Sequence, residues 1–304
     1  VSSDAITALS GSQAAKTVVL GAEFATEEAL QWKINSARAG SQLPGGGQLL
    51  FPGHRFVAIY GTPGTGSLGV LGEQDATASV ARAQKLATEY EQFSDVPVVP
   101  MFEIIATVAA GDAGADGNYS NELSIDRLRP WVEQATASGL YVVIDLQPGR
   151  TDFLTQAKQY EELLRMPHVG LALDPEWRLK ADQVPLKQIG SVSAEEVNAV
   201  TEWLATLTRE NNLPQKMLVL HQFQTKMLQD RASIVTNHPE LAMLIHVDGQ
   251  GAQPDKQATW RTLQQNAPDV AWGWKNFYDE DSPTLTPEQT MTEVSPVPVL
   301  VTYQ

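Results

Sequence analysis

The sequence predicts one (β/α)8 barrel, and three observations carry that prediction. Eight short apolar runs recur along the chain, helix-like segments separate most of them, and ionisable residues gather at the carboxyl ends of the runs. The chain has 304 residues, and a barrel of this kind typically uses about 250. One barrel over residues 51–304, with residues 1–50 as an amino-terminal extension packed on it, accounts for the length.

The apolar runs lie at 56–60, 98–106, 141–146, 169–173, 217–220, 241–247, 271–274 and 297–301. They are continuously apolar rather than alternating, as strands buried on both faces are, so a parallel sheet covered by helices follows. Eight units favour closure into a barrel, with an open doubly wound sheet as the alternative. Helices are expected over 75–93, 125–138, 153–164, 194–210, 225–234, 256–266 and 287–294. Ser193, with Glu196 three residues on, reads as a capping box. Thr286 followed by Pro287 supplies an N-cap and a proline at the first helical position. In the extension, Leu30, Ile34 and Ala37 recur at helical spacing within 26–37, and Gly45, Gly46 and Gly47 mark a flexible join.

Composition narrows the function. The net charge is −15, from 36 acidic and 21 basic residues, a field that repels phosphate backbones and anionic lipid. Neither nucleic acid nor a membrane surface is an expected partner, and no run approaches the ~20 apolar residues of a membrane span. A carbohydrate or another small polar substrate fits better, bound by a monomer. The absence of cysteine excludes disulfides, thiolate metal sites and cysteine nucleophiles. An acidic, cysteine-free chain rich in Thr, Ala and Gln, here beginning Val-Ser-Ser-Asp, leads us to expect a secreted or cell-envelope protein. Asn118-Tyr119-Ser120 is read as a chance glycosylation sequon.

Catalytic residues of parallel barrels sit where strands end. Those ends carry Glu103, Asp145, Asp174 with Glu176, His221 with Gln222, His246 with Asp248, and Lys275 with Asn276. The amino ends carry ordinary turn residues, such as Asn212-Leu213-Pro214. The sharpest element is Asp174-Pro175-Glu176-Trp177. If the strand persists, Gly170, Ala172, Asp174 and Glu176 share one face, with the two carboxylate-bearing backbones about 6.6 Å apart. Neighbouring carboxylates push their pKa values apart, which suits a general acid beside an ionised partner. The plainer alternative makes Asp174 a turn cap and Glu176 a solvated side chain.

Trp177, Trp272, Trp274, Phe277 and Tyr278 offer flat faces for a sugar ring, or else pack on helices. Trp272 and Trp274 share a parity, and Lys275 takes the opposite one. His246, Asp248 and His221 with Asp145 or Asp174 can hold a divalent metal. No tight histidine pair supports that, so neither metal nor cofactor is expected. Gly64, Gly66 and Gly69 match a dinucleotide fingerprint, but no acidic residue ends a strand about 20 positions further on. A flexible lid over the barrel mouth is the better reading.

Asp174-x-Glu176 on a fourth strand resembles the acid motif of glycoside hydrolase barrels, in particular lysozyme-like muramidases (family 25) and chitinase-like enzymes (family 18). The resemblance implies that Glu176 is the general acid and that Asp174 assists. It departs from the chitinase pattern at Ala172 and from the muramidase pattern at Tyr60-Gly61. Stretches 142–150, 171–179 and 272–281 resemble actinobacterial secreted proteins, which implies a cell-envelope location. The expected activity is hydrolysis of an envelope or extracellular polysaccharide, with Glu176, Asp174 and Asp145 catalytic. Trp177, Glu103, His221, Gln222, Asp248, Trp274, Lys275 and Tyr278 are the expected substrate contacts. A non-catalytic carbohydrate-binding barrel, or a metal-dependent hydrolase using Asp145, Asp174, His221 and Asp248, are the alternatives.

Overall fold

The computed structural model describes residues 27–304; the first 26 residues of the expected extension lie outside the described residues. Eight parallel strands close on themselves: β1 (Arg55–Gly61), β2 (Val98–Ala109), β3 (Tyr141–Leu146), β4 (Val169–Leu173), β5 (Lys216–Gln222), β6 (Leu241–Val247), β7 (Ala271–Asn276) and β8 (Leu300–Tyr303). Closure is made by β1, which pairs with β8 on one side (Phe56 beside Leu300) and β2 on the other (Ala58 beside Met101). The chain is a (β/α)8 barrel. Among the described residues, no helix is long and apolar enough to cross a membrane.

The helices are α1 (Glu27–Ala39), α2 (Ala76–Glu91), α3 (Ile125–Ala137), α4 (Phe153–Gln159), α5 (Glu161–Leu164), α6 (Ala194–Glu210), α7 (Gln253–Gln264) and α8 (Pro287–Glu293). At α8, Thr286 and Gln289 form a full capping box. At α6 only half of one forms: Ser193 accepts from the Glu196 amide, while the Glu196 carboxylate takes the Phe153 amide and Arg178 instead. Long-range partners outcompeted the local one.

Two predicted elements differ. No α-helix fills 225–234; short 3-10 turns at Thr225–Met227 and Arg231–Ser233 flank Leu228–Gln229, which pairs with Val192–Ser193. The buried residues Met227 and Leu228 are adjacent rather than helically spaced, and Asp230 takes a left-handed φ of 50°. The eighth strand begins at Leu300, because Pro296 and Pro298 have no N–H to give a ladder, and it runs on to Tyr303.

Side-chain parity divides the core. Val57, Ile59, Phe102, Ile104, Val142, Ile144, Leu218 and Leu220 point outward and pack under the helices. Phe56, Ala58, Val99, Met101, Tyr141, Val143, Ala172, Met217, Val219, Leu244 and Leu300 point inward and fill the amino-terminal half of the barrel. Leu43 and Leu50 join that inner cluster from below. Helix α1 closes the same end: Trp32 Nε1 and Ser36 Oγ both donate to the Leu213 carbonyl, each at 3.0 Å. Leu50 is fully buried, so Leu50→Ala should cost about 2–5 kcal/mol, read from urea denaturation. A cost below about 1 kcal/mol would remove segment 43–50 from the core.

Candidate active site

Continuing the inward parity upward replaces the apolar layer with a polar one. Tyr60, Glu103, Asp145, Asp174, His221, His246, Lys275 and Thr302 each stand two residues beyond an inward position of their own strand. All eight are buried. Gly273 makes room in this layer, since a Cβ there would lie 2.9 Å from the His246 ring.

His221 is the hub. Its Nε2 lies 2.8 Å from Glu103 Oε1 and its Nδ1 2.9 Å from Asp248 Oδ2. Asp145 Oδ1 is 3.9 Å from the same Nε2, and Tyr60 Oη donates to Asp145 Oδ2 at 2.9 Å. The His246 ring packs 4.8 Å from that of His221, and its Nε2 meets Thr302 Oγ1 at 3.0 Å. Lys275 places Nζ 3.5 Å from the centre of the Tyr60 ring, a cation–π contact.

Above this layer opens a cavity of about 320 Å³, near the lower limit for small-molecule sites, walled by Asp174, Glu176, Trp177, Asp248, Lys275 and Phe277 among others. Tyr60 and Gln147 also reach it. Glu103, Asp145 and His221 do not line it; they lie beneath its floor.

Asp174 and Glu176 do not share a strand face. The strand stops at Leu173, and Pro175–Trp177 forms a 3-10 turn in which the Glu176 amide donates to Asp174 Oδ1 at 3.2 Å. Proline at 175 has no ladder N–H, which ends the strand. Gly190 locks the turn from behind: its amide donates to the Glu176 carbonyl at 2.7 Å. Arg178, the next residue on, is pinned to Glu196 at 2.8 Å.

Burial, reinforced by the charge of Asp248, pushes the Glu176 carboxyl up to about 7, against a smaller downward pull from Lys275 and His221. Burial raises Asp174 well above the usual carboxylate range, with His221 opposing and Asp145 and Asp248 adding. Asp145 rises to about 6 for the same first cause. Burial also works against charge on Asp248, yet the hydrogen bond and charge of His221 outweigh it and hold Asp248 low. The ionised neighbour of Glu176 is therefore Asp248, whereas the sequence pattern pointed to Asp174.

Besides Glu103 and His221, three more expected substrate contacts lie off the cavity wall. Trp274 faces outward, its ring 5.5 Å from Trp260 of α7, and Trp272 packs on the same ring at 5.8 Å. The shared parity was right, but that face belongs to the helices. Gln222 holds the loop after β5, donating to the carbonyls of Gln224 and Thr225 and accepting from Arg231. Tyr278 stacks on Tyr303, 5.3 Å between ring centres, beside a separate groove with Arg82 and Glu73. The glycine-rich segment is a packed turn rather than a free lid. A Cβ at Gly69 would lie 2.4 Å from the Tyr60 carbonyl, and one at Gly72 2.1 Å from that of Thr62. From it, Leu68 reaches the cavity.

Sequence reasoning passed over Tyr60, Gln147, Phe223 and Thr302. Strict inward parity identifies Tyr60 and Thr302; Gln147 and Phe223 belong to loops, for which no such signal exists.

Fold and site together define a (β/α)8 barrel with an acidic, partly aromatic cavity at its carboxyl-terminal mouth. No protein-family model matches the sequence, and no curated protein matches it. Similar solved structures include an oxaloacetate acetylhydrolase in complex with oxalate, at 11% identity and TM-score 0.47, over 82% of this chain and 75% of that one. A xylanase-α-amylase inhibitor protein in complex with trehalose is 11% identical, TM-score 0.46, over 82% and 92%. The Prevotella bryantii endo-β-mannanase/endo-β-glucanase is 13% identical, TM-score 0.37, over 68% and 37%.

Proposed function

We propose that this barrel is a glycoside hydrolase acting on an extracellular or envelope polysaccharide, with Glu176 as its general acid. The observation that carries the reading is Glu176 itself: a carboxyl on the cavity wall, pushed up to about 7 by burial and by Asp248. A carboxylic acid that keeps its proton near neutrality can protonate the leaving oxygen of a glycosidic bond. Asp248, held ionised by His221, and Asp174 are the other carboxyl groups on the wall. A carboxylate there stabilises positive charge on the sugar ring or activates water. Trp177 stands beside Glu176 on the same wall and serves as a platform for a sugar face.

The test is turnover of a panel of neutral and amino-sugar oligosaccharides by the full chain, followed with pH. The acid must be protonated, so kcat should fall as pH rises through about 7. Binding without turnover across the panel overturns the enzyme assignment and leaves a carbohydrate-recognition barrel. Trp177→Ala should raise KM about tenfold, the equivalent of one aromatic contact, with a smaller change in kcat. An unchanged KM removes Trp177 from the binding surface.

A further inference from the structure

We propose that Glu103, Asp145, His221 and His246 bind one divalent transition-metal cation beneath the cavity floor. The four side chains come from β2, β3, β5 and β6 at one level of the barrel interior, and all are fully buried. Donor atoms of Glu103, His221 and His246 lie within 4.8 Å of one another. Asp145 Oδ1 adds a fourth, 3.9 Å from His221 Nε2.

The second observation is what these atoms lack. Glu103 Oε2 and Asp145 Oδ1 have no hydrogen-bond partner, and His246 Nδ1 has none in good hydrogen-bond geometry, although the Trp274 backbone also meets its ring. Each such buried atom costs about 1–3 kcal/mol, and Glu103 Oε2 and His246 Nδ1 stand only 3.9 Å apart. A proton between His221 Nε2 and Glu103 Oε1 satisfies that one contact and leaves the other three atoms unsatisfied. A cation satisfies them together.

Support from behind is already in place. Asp248 holds His221 Nδ1, Thr302 holds His246 Nε2, and Tyr60 holds the other oxygen of Asp145. Outer hydrogen bonds of this kind orient metal ligands. Two bonds of about 2.0–2.2 Å allow donors to sit at most about 4.4 Å apart. The donors of Glu103, His221 and His246, which lie within 4.8 Å of one another, therefore need to close by roughly half an ångström, and Asp145 has to move in with them. Two imidazoles with carboxylates favour zinc, manganese or iron over magnesium and calcium, which prefer all-oxygen sets. This site does not depend on the glycosidase reading.

The experiment is calorimetric titration of the full chain, stripped with chelator, using Zn2+, Mn2+ and Mg2+. One equivalent of Zn2+ or Mn2+ should bind, at least about 100-fold more tightly than Mg2+. His246→Ala should lose that binding. Thr302→Val, a smaller change, should weaken it about 10-fold or more. Glu176→Gln should bind metal as the wild type does, which separates this site from the acid. Stripped wild-type protein that takes up neither ion overturns the proposal, as does uptake indifferent to both His246→Ala and Thr302→Val.

Discussion

Glu176→Gln should leave the barrel folded and lower glycan hydrolysis about 10²–10⁴-fold, the range for loss of a general acid. Glutamine keeps the shape of the side chain and its place on the 3-10 turn, but has no proton of the right acidity to give. The alkaline limb of the pH profile should vanish in whatever activity remains. Stability gives an independent readout. The folded carboxyl sits near 7, against an ordinary value of 4.5, so its contribution to stability is complete below about pH 4.5 and lost as pH rises through 7. At pH 8 the wild type therefore carries a penalty on the order of 1–3 kcal/mol. The glutamine variant, which cannot ionise, should be more stable at pH 8, and its advantage should shrink towards pH 4.5. Urea denaturation at both values measures this, and an advantage that does not change with pH places the Glu176 carboxyl in solvent.

Gly190→Ala should cost activity about 100-fold although Gly190 carries no side chain and is not part of the cavity wall. A Cβ at that position would lie 2.5–2.6 Å from the carbonyl oxygens of Pro175, Glu176 and Arg178. Those atoms are backbone and cannot rotate aside, so the turn bearing Glu176 and Trp177 has to move. A displacement of about 1 Å in a catalytic group is worth about 10² in rate. Because the barrel core is untouched, the denaturation midpoint should shift far less than activity does. Wild-type kcat and KM in this variant would show that the turn is not held from Gly190.

Much of this molecule is legible in the amino-acid sequence because period-2 alternation is a local property. The inward face reads Phe56, Ala58, Tyr60 along β1 and Met217, Val219, His221 along β5, so the change from apolar floor to polar layer is visible one strand at a time. Pro175 ends its strand by chemistry that is equally local, and Thr286 with Gln289 caps α8 within four residues. The failures share a cause. Trp274 has the right parity, but whether its outward face meets solvent, substrate or a helix depends on Trp260, which lies on α7. Glu196 has the spacing of a capping box, yet Arg178 and the Phe153 amide were the better partners. Segment 225–234 has no helical period once the adjacent Met227 and Leu228 are both buried, and Leu228 is placed there by pairing with strand Val192–Ser193.

By itself, then, the sequence determined that eight units alternate and that their ends are acidic, since strand periodicity and turn chemistry act over a few residues. Only the tertiary structure decided which of those ends meet. His221 reaches Glu103 across 118 positions of chain, and Glu176 is aimed by Gly190 and Arg178 rather than by its own strand. Contacts of that kind follow from barrel closure and loop packing, where long-range geometry chooses among partners that local pattern leaves equivalent.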